Sequence, residues 1–118
     1  MEEAETHEWP DELDALTAAP AHHRLLLEND QVRVLDTRIG PGDAVPVHTH
    51  RWPSVHYVLS SAQFVRRDAD DQVLLDTRTL EQPFELPPVV GSEPLPPHSF
   101  ENVDTTEIHL ISVEVKDS

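Results

Sequence analysis

From Leu25 onward the apolar residues fall in short runs, many alternating with polar ones, and the runs are separated by brief polar or proline-containing breaks. Runs at Leu25–Leu27 and Val32–Leu35 are split by the turn-prone Glu28-Asn29-Asp30. Others follow at Ala44–Thr49, Val55–Ser60, Gln63–Arg67, Val73–Arg78, Pro97–Asn102 and Glu107–Val115, each with the length and residue types of a strand. Many brief strands with tight connections, such as Asp68–Asp71 and Val103–Thr106, predict an all-β antiparallel sandwich or barrel. Ahead of them, Pro10–Ala19 begins with Pro and acids and places Leu13 and Leu16 three apart, which predicts one short helix ended by Pro20. Residues Met1 to Glu8 lack apolar periodicity and are expected to form a frayed tail. The chain thus divides into a tail and short helix over 1–24 and a β domain over 25–118.

Two punctuations refine this. Ile39-Gly40-Pro41-Gly42-Asp43 is the strongest turn signal in the chain, and Gly40, Gly42 and Gly91 all fall where loops are expected. Prolines crowd the stretch from Pro83 to Pro97, which cannot supply a central ladder and is expected to be edge strand or rigid loop. No repeat of solenoid length is visible.

With 118 residues there is room for one core. Eight Lys and Arg against 23 Asp and Glu give a net charge of −15, which disfavours nucleic acid and anionic membrane surfaces as partners. Cysteine is absent, so His, Asp and Glu are the strong metal ligands on offer. The acidic start, Met1-Glu2-Glu3-Ala4-Glu5, lacks the positive charge and apolar run of a signal peptide, and a cytoplasmic location is expected.

The histidines carry the chemistry. In Pro46-Val47-His48-Thr49-His50 strand alternation puts both imidazoles on one face, and two histidines flanking one residue in an apolar strand are costly to bury without a shared partner. His56 alternates with Ser54 and Val58 on the next strand and can face the same space if the two strands pair. His98 shares a face with Phe100 and Asn102, far along the chain. Three imidazoles converging from distant strands suit one divalent transition metal, with positions left for water or substrate. His7, His22 and His23 are read as partly exposed polar residues, and His109, alternating with Ile111, Val113 and Val115, as a hydrogen-bonded core or edge histidine.

These residues resemble a known pattern. Gly42, five residues, His48-Thr49-His50 and then Tyr57-Val58-Leu59 is similar to the first motif of the cupins, and His98-Ser99-Phe100-Glu101-Asn102 resembles the end of the second. The resemblance covers about Gln31 to Val115 and implies a cupin jelly-roll barrel, metal ligation by His48, His50 and His98, Asn102 in a supporting position, and a homodimer. Two departures stand out. The usual glutamate ligand falls at Ser54, so His56 is expected to replace it, and Pro96-Pro97 stands where a glycine is usual before the second-motif histidine.

The expectation is therefore a mononuclear cupin metalloprotein with His48, His50, His56 and His98 as ligands to Fe, Mn, Ni, Cu or Zn. The resemblance permits an oxygen-using dioxygenase or another metal-dependent enzyme on a small organic substrate. The alternatives are a non-catalytic binding or sensing barrel and a metal-free barrel. Arg66 or Arg67 can anchor a substrate carboxylate or lie solvated beside Asp68 and Asp70. Trp52 can line a pocket mouth, and Tyr57, out of phase with His56, reads as core or interface.

Overall fold

The computed structural model describes residues 9–82 and 84–116; the expected tail and His7 lie outside them. Among the described residues nine strands form two antiparallel sheets. They are β1 (His23–Glu28), β2 (Val32–Ile39), β3 (Ala44–His50), β4 (Ser54–Ser60), β5 (Phe64–Asp68), β6 (Val73–Asp76), β7 (Val89–Ser92), β8 (Leu95–Asn102) and β9 (Ile108–Val115). One sheet has the order β1-β2-β9-β4-β7 and the other β3-β8-β5-β6. The all-β expectation holds, with alternation deciding which face turns inward: Arg33, Leu35 and Ile39 are buried along β2 while Arg38 is exposed. Among the described residues no helix is long and apolar enough to cross a membrane.

The core clusters Ala19, Ile39, Val45, Ala62, Phe64 and Ile108. Phe100 stacks on Phe64 with ring centroids 4.5 Å apart, and Phe84 meets Phe64 edge-on at 5.6 Å.

The turn ahead of β3 follows from its residues. Gly42 takes φ +79°, the left-handed position that a turn with Pro41 before it requires. Its N–H donates to Asn102 O at 3.0 Å, while Asn102 N donates back to Asp43 O at 2.9 Å, which fixes the start of β3 against the end of β8.

Four expectations are corrected. The single helix over Pro10–Ala19 is instead a 3-10 turn at Asp11–Leu13 and one α turn, α1, at Ala15–Ala18. Asp14 between them is extended (φ −56°, ψ 143°) because its carboxylate caps Leu16 N and pairs with Arg33. The strand over Val73–Arg78 stops at Asp76, whose side chain caps a 3-10 turn at Thr77–Thr79. Gly91 lies in a strand, not a loop, on edge strand β7, where an added Cβ would meet nothing within 4 Å. Pro96 and Pro97 lie in β8, which has neighbours on both sides. They are tolerated because β5 pairs β8 only from His98 onward, so the prolines need no donor on that side.

Candidate metal centre

Alternation along β3 turns His48 and His50 inward, and the ladder to β8 shifts register on both sides of His48. His98 on β8 is the direct register partner of His48, and their ring centroids are 4.4 Å apart. His50 lies 5.0 Å from His48 and 5.9 Å from His98 by the same measure.

His23 joins them, against the reading of it as a partly exposed residue. It is buried, 5.0 Å from the His48 ring and 5.4 Å from His50. The physical reason is that β1 starts two residues before the leucine run, and its first residue, His23, pairs with the buried Thr37 of β2 while the leucines that follow are exposed. The ligand atoms of His23, His48 and His50 all lie within 4.8 Å of one another.

What matters next is which nitrogen each ring has free. His48 Nδ1 donates to Pro46 O at 2.8 Å, His98 Nδ1 to Pro96 O at 2.7 Å, and His23 Nδ1 to Ala19 O at 3.0 Å. A carbonyl oxygen only accepts, so Nδ1 carries the proton in each and Nε2 keeps the lone pair of the neutral ring. His50 Nδ1 donates to Glu114 Oε2 at 3.1 Å, with the same result. Four histidines thus have one nitrogen held by an acceptor and the other left for a cation, the arrangement that metal-binding imidazoles use.

Burial keeps them neutral. It is the largest cause pushing His48 and His50 down to about 3 and His23 and His98 down to about 4, and the crowded neighbouring imidazoles add to it. Neutral imidazole is the form that ligates, so the donor set fits a borderline divalent ion without first losing protons.

His56 lines the same cavity but differs. Its Nδ1 is 2.7 Å from Ser112 Oγ and its Nε2 is 2.9 Å from Ser92 Oγ, so both ring nitrogens are engaged by hydroxyls. Ser54, at the position expected to lack the glutamate, turns its hydroxyl back onto Trp52 O at 3.2 Å.

A carboxylate nonetheless stands behind the site. Glu114, fully buried on β9, accepts from Arg33 Nε at 2.7 Å through its other oxygen. Arg33 in turn forks onto both oxygens of Asp14 at 3.0 Å each, and its guanidinium lies over the Trp52 ring at 5.0 Å. Burial pushes the Glu114 carboxyl upward against the pull of Arg33, whereas at Asp14 the Arg33 contacts outweigh burial and hold the carboxyl below its ordinary value. The sequence reading passed over Asp14, Arg33 and Glu114. A signal was there: Glu114 falls in phase with Ile108, Leu110 and Ser112 on the face that β9 turns inward, and Arg33 with Leu35 and Ile39 on β2.

Of the remaining candidates, Arg66 lines the cavity while Arg67 turns out to Glu101 (3.0 Å) and Asp71 (3.8 Å). Trp52 packs under cations and is not among the residues lining the cavity. Tyr57 is 48% exposed on the outer face of its sheet, so it is not core. Asn102 is structural: its Nδ2 donates to Ile39 O and Thr106 O at the far end of β8 from His98. The cavity itself is about 270 Å³ and runs from the histidines to Phe64, Phe100, Ile108 and Leu110.

Comparison with solved structures places the architecture. A cupin domain from Bordetella pertussis Tohama I superposes with a TM-score of 0.61 over 80% of this chain and 92% of that one, at 18% identity. A cupin-family protein with a double-stranded β-helix fold from Methanocaldococcus jannaschii gives 0.55 over 79% and 77%, at 10% identity. A cupin superfamily protein from Desulfitobacterium hafniense DCB-2 gives 0.51 over 80% and 76%, at 16% identity. This chain has the cupin fold. No family model and no curated protein matches the sequence. The barrel here places a histidine group able to hold a metal ion in the wall of its interior cavity.

Proposed function

We propose that this cupin-fold chain is a metal-dependent enzyme holding one divalent transition metal on His23, His48, His50 and His98 and acting on a small organic molecule in the adjoining cavity. The observation that carries the reading is the shared commitment of four Nδ1 atoms to acceptors, which leaves the Nε2 lone pairs of His23, His48 and His50 in one group with ligand atoms within 4.8 Å, and that of His98 beside it, its ring 4.4 Å from His48. Structural histidines of a core have no reason to converge in this way.

Iron, manganese, nickel, copper and zinc all accept imidazole, and the bound ion would supply Lewis-acid or oxygen-activating chemistry, a dioxygenase being the finer form of the reading. The chain's own residues do the rest. His56, satisfied by Ser92 and Ser112, is a wall residue in this proposal rather than a ligand. Glu114 offsets the missing glutamate at one remove: Asp14, Arg33 and Glu114 sum to one negative charge, passed to the site through His50. Outside the barrel, Val55, Tyr57 and Leu59 are exposed at 37%, 48% and 59% on one sheet face, which supports a homodimer formed across it.

The test is elemental analysis and thermal melting of untagged protein. One ion per chain is expected, with a raised melting temperature when metal is added to chelator-treated protein. His23→Ala is expected to weaken metal binding by about tenfold or more and His56→Ala to leave the stoichiometry unchanged. Clearly substoichiometric metal, with no stabilisation by any of the five ions, sinks the proposal. Oxygen uptake or turnover of a β-dicarbonyl, phenolic or keto-acid panel, lost on His98→Ala, separates an enzyme from a binding barrel.

A further inference from the structure

The cavity also holds a cationic side chain. Arg66 enters it from β5, opposite Phe100 in the ladder to β8, and its guanidinium carbon lies 5.9 Å from the Phe64 ring and 6.0 Å from Phe100. Its Nε is buried with no hydrogen-bond partner, and among the described residues no carboxylate pairs with it. Arg67, one residue on, shows the ordinary solution by pairing with Glu101 and Asp71.

This is costly for the protein alone. Arg66 is half-buried, with Nε as its one buried unpaired nitrogen, and because a guanidinium cannot shed its proton at physiological pH, drawing it partly out of water without a counter-charge is unfavourable. The chain has 23 acidic residues to draw on, yet no Asp or Glu is among the residues lining the cavity. Glu114 is committed to His50 and Arg33. The cavity of an acidic protein is thus left net positive, with apolar walls that strengthen any charge interaction inside it.

We propose that Arg66 anchors the carboxylate of a small organic acid whose apolar body lies against Phe64, Phe100, Ile108 and Leu110 and whose far end reaches the histidines. The anchor stands on the cavity residues, and the acid's role as substrate rests on the metal-site reading above. A volume of about 270 Å³ admits a ligand below drug size.

Calorimetric titration of chelator-treated and zinc-loaded protein with isovalerate, benzoate and phenylacetate, each against its uncharged amide, tests this. At least one acid binds, and more tightly than its amide by about tenfold or more. Arg66→Met, which keeps the apolar stem, abolishes that preference without lowering the melting temperature, because a half-buried charge with no carboxylate partner has been removed. Arg66→Lys retains part of the preference. Three results overturn the anchor: equal binding of acids and amides, no acid binding tighter than about 10 mM, or a clear drop in melting temperature for Arg66→Met, which would mark a structural arginine. Zinc stoichiometry on the same preparations keeps the two proposals apart. Full zinc without acid preference removes the anchor and leaves the metal site standing, whereas acid preference in a protein that binds no zinc does the reverse.

Discussion

Four buried histidines, each with Nδ1 held by a carbonyl or carboxylate oxygen, are aimed in two different ways. His48 and His98 are held locally, each donating to the carbonyl of a proline two residues earlier on its own strand. His23 and His50 are held from elsewhere. One leans on the carbonyl that closes α1, and the other on Glu114, which reaches through Arg33 to Asp14 at the head of that helix. The first pair needs only β3 and β8 to be strands. The second needs the N-terminal segment packed against the barrel, so occupancy of the site and order of that segment are thermodynamically linked.

The largest expected effect treats the four rings alike. An unfolded chain protonates its histidines near pH 6.5, while the folded cluster resists until about 4 for His23 and His98 and about 3 for His48 and His50. Between those values the unfolded state binds more protons than the native state, so stability falls as pH is lowered through the window. Each ring contributes at most about 1.4 kcal/mol per pH unit, and the sum for metal-free protein is several kcal/mol. Urea melts at about pH 7 and about pH 5 measure it. His23→Gln and His98→Gln should each make the dependence shallower by a similar amount. If only one does, the two pairs are not members of a single buried cluster.

Glu114→Ala is the next largest and separates the pairs. It strands Arg33 with Asp14 alone and leaves His50 Nδ1 without its acceptor, at a cost of about 3 to 5 kcal/mol in stability, because a buried pair has lost one partner. Metal affinity is expected to fall by about ten- to a hundredfold. Chemical denaturation gives the first quantity and competition with a chelator the second. An intact affinity would mean that His50 is oriented by β3 alone and that the remote scaffold has no part in the site.

This division also explains what could be read in the chain. The inward turn of His48, His50 and His98 was legible because the alternation that sets it is written within a few residues of each. The turn with Gly42 was legible for the same reason. His23 was missed because the strand signal at Leu25–Leu27 is blurred by a bulge that leaves all three leucines exposed, so alternation could not be traced back with assurance. Arg33 and Glu114 are 81 residues apart, and no local pattern says that an in-phase arginine on β2 will meet an in-phase glutamate on β9 until the two strands are known to be neighbours. The broken helix has the same origin, since Asp14 is pulled out of helical conformation by an arginine 19 residues away.

The smallest effect tests the local pair. The acceptors for His48 and His98 are backbone carbonyls, which any residue supplies, so Pro96→Ala keeps the hydrogen bond in principle. What proline adds is a fixed φ and the absence of a donor that would compete for ladder pairing where β5 has already ended. Ala at this position regains freedom in the unfolded chain, which costs roughly 0.5 to 1 kcal/mol of stability if the native φ suits proline. Metal affinity should then change by no more than about threefold, because the carbonyl still faces Nδ1. A loss as large as that of Glu114→Ala would show that the proline ring, rather than the carbonyl it carries, sets the aim of His98, and the contrast between a backbone-borne and a scaffold-borne pair would fail at its simplest point.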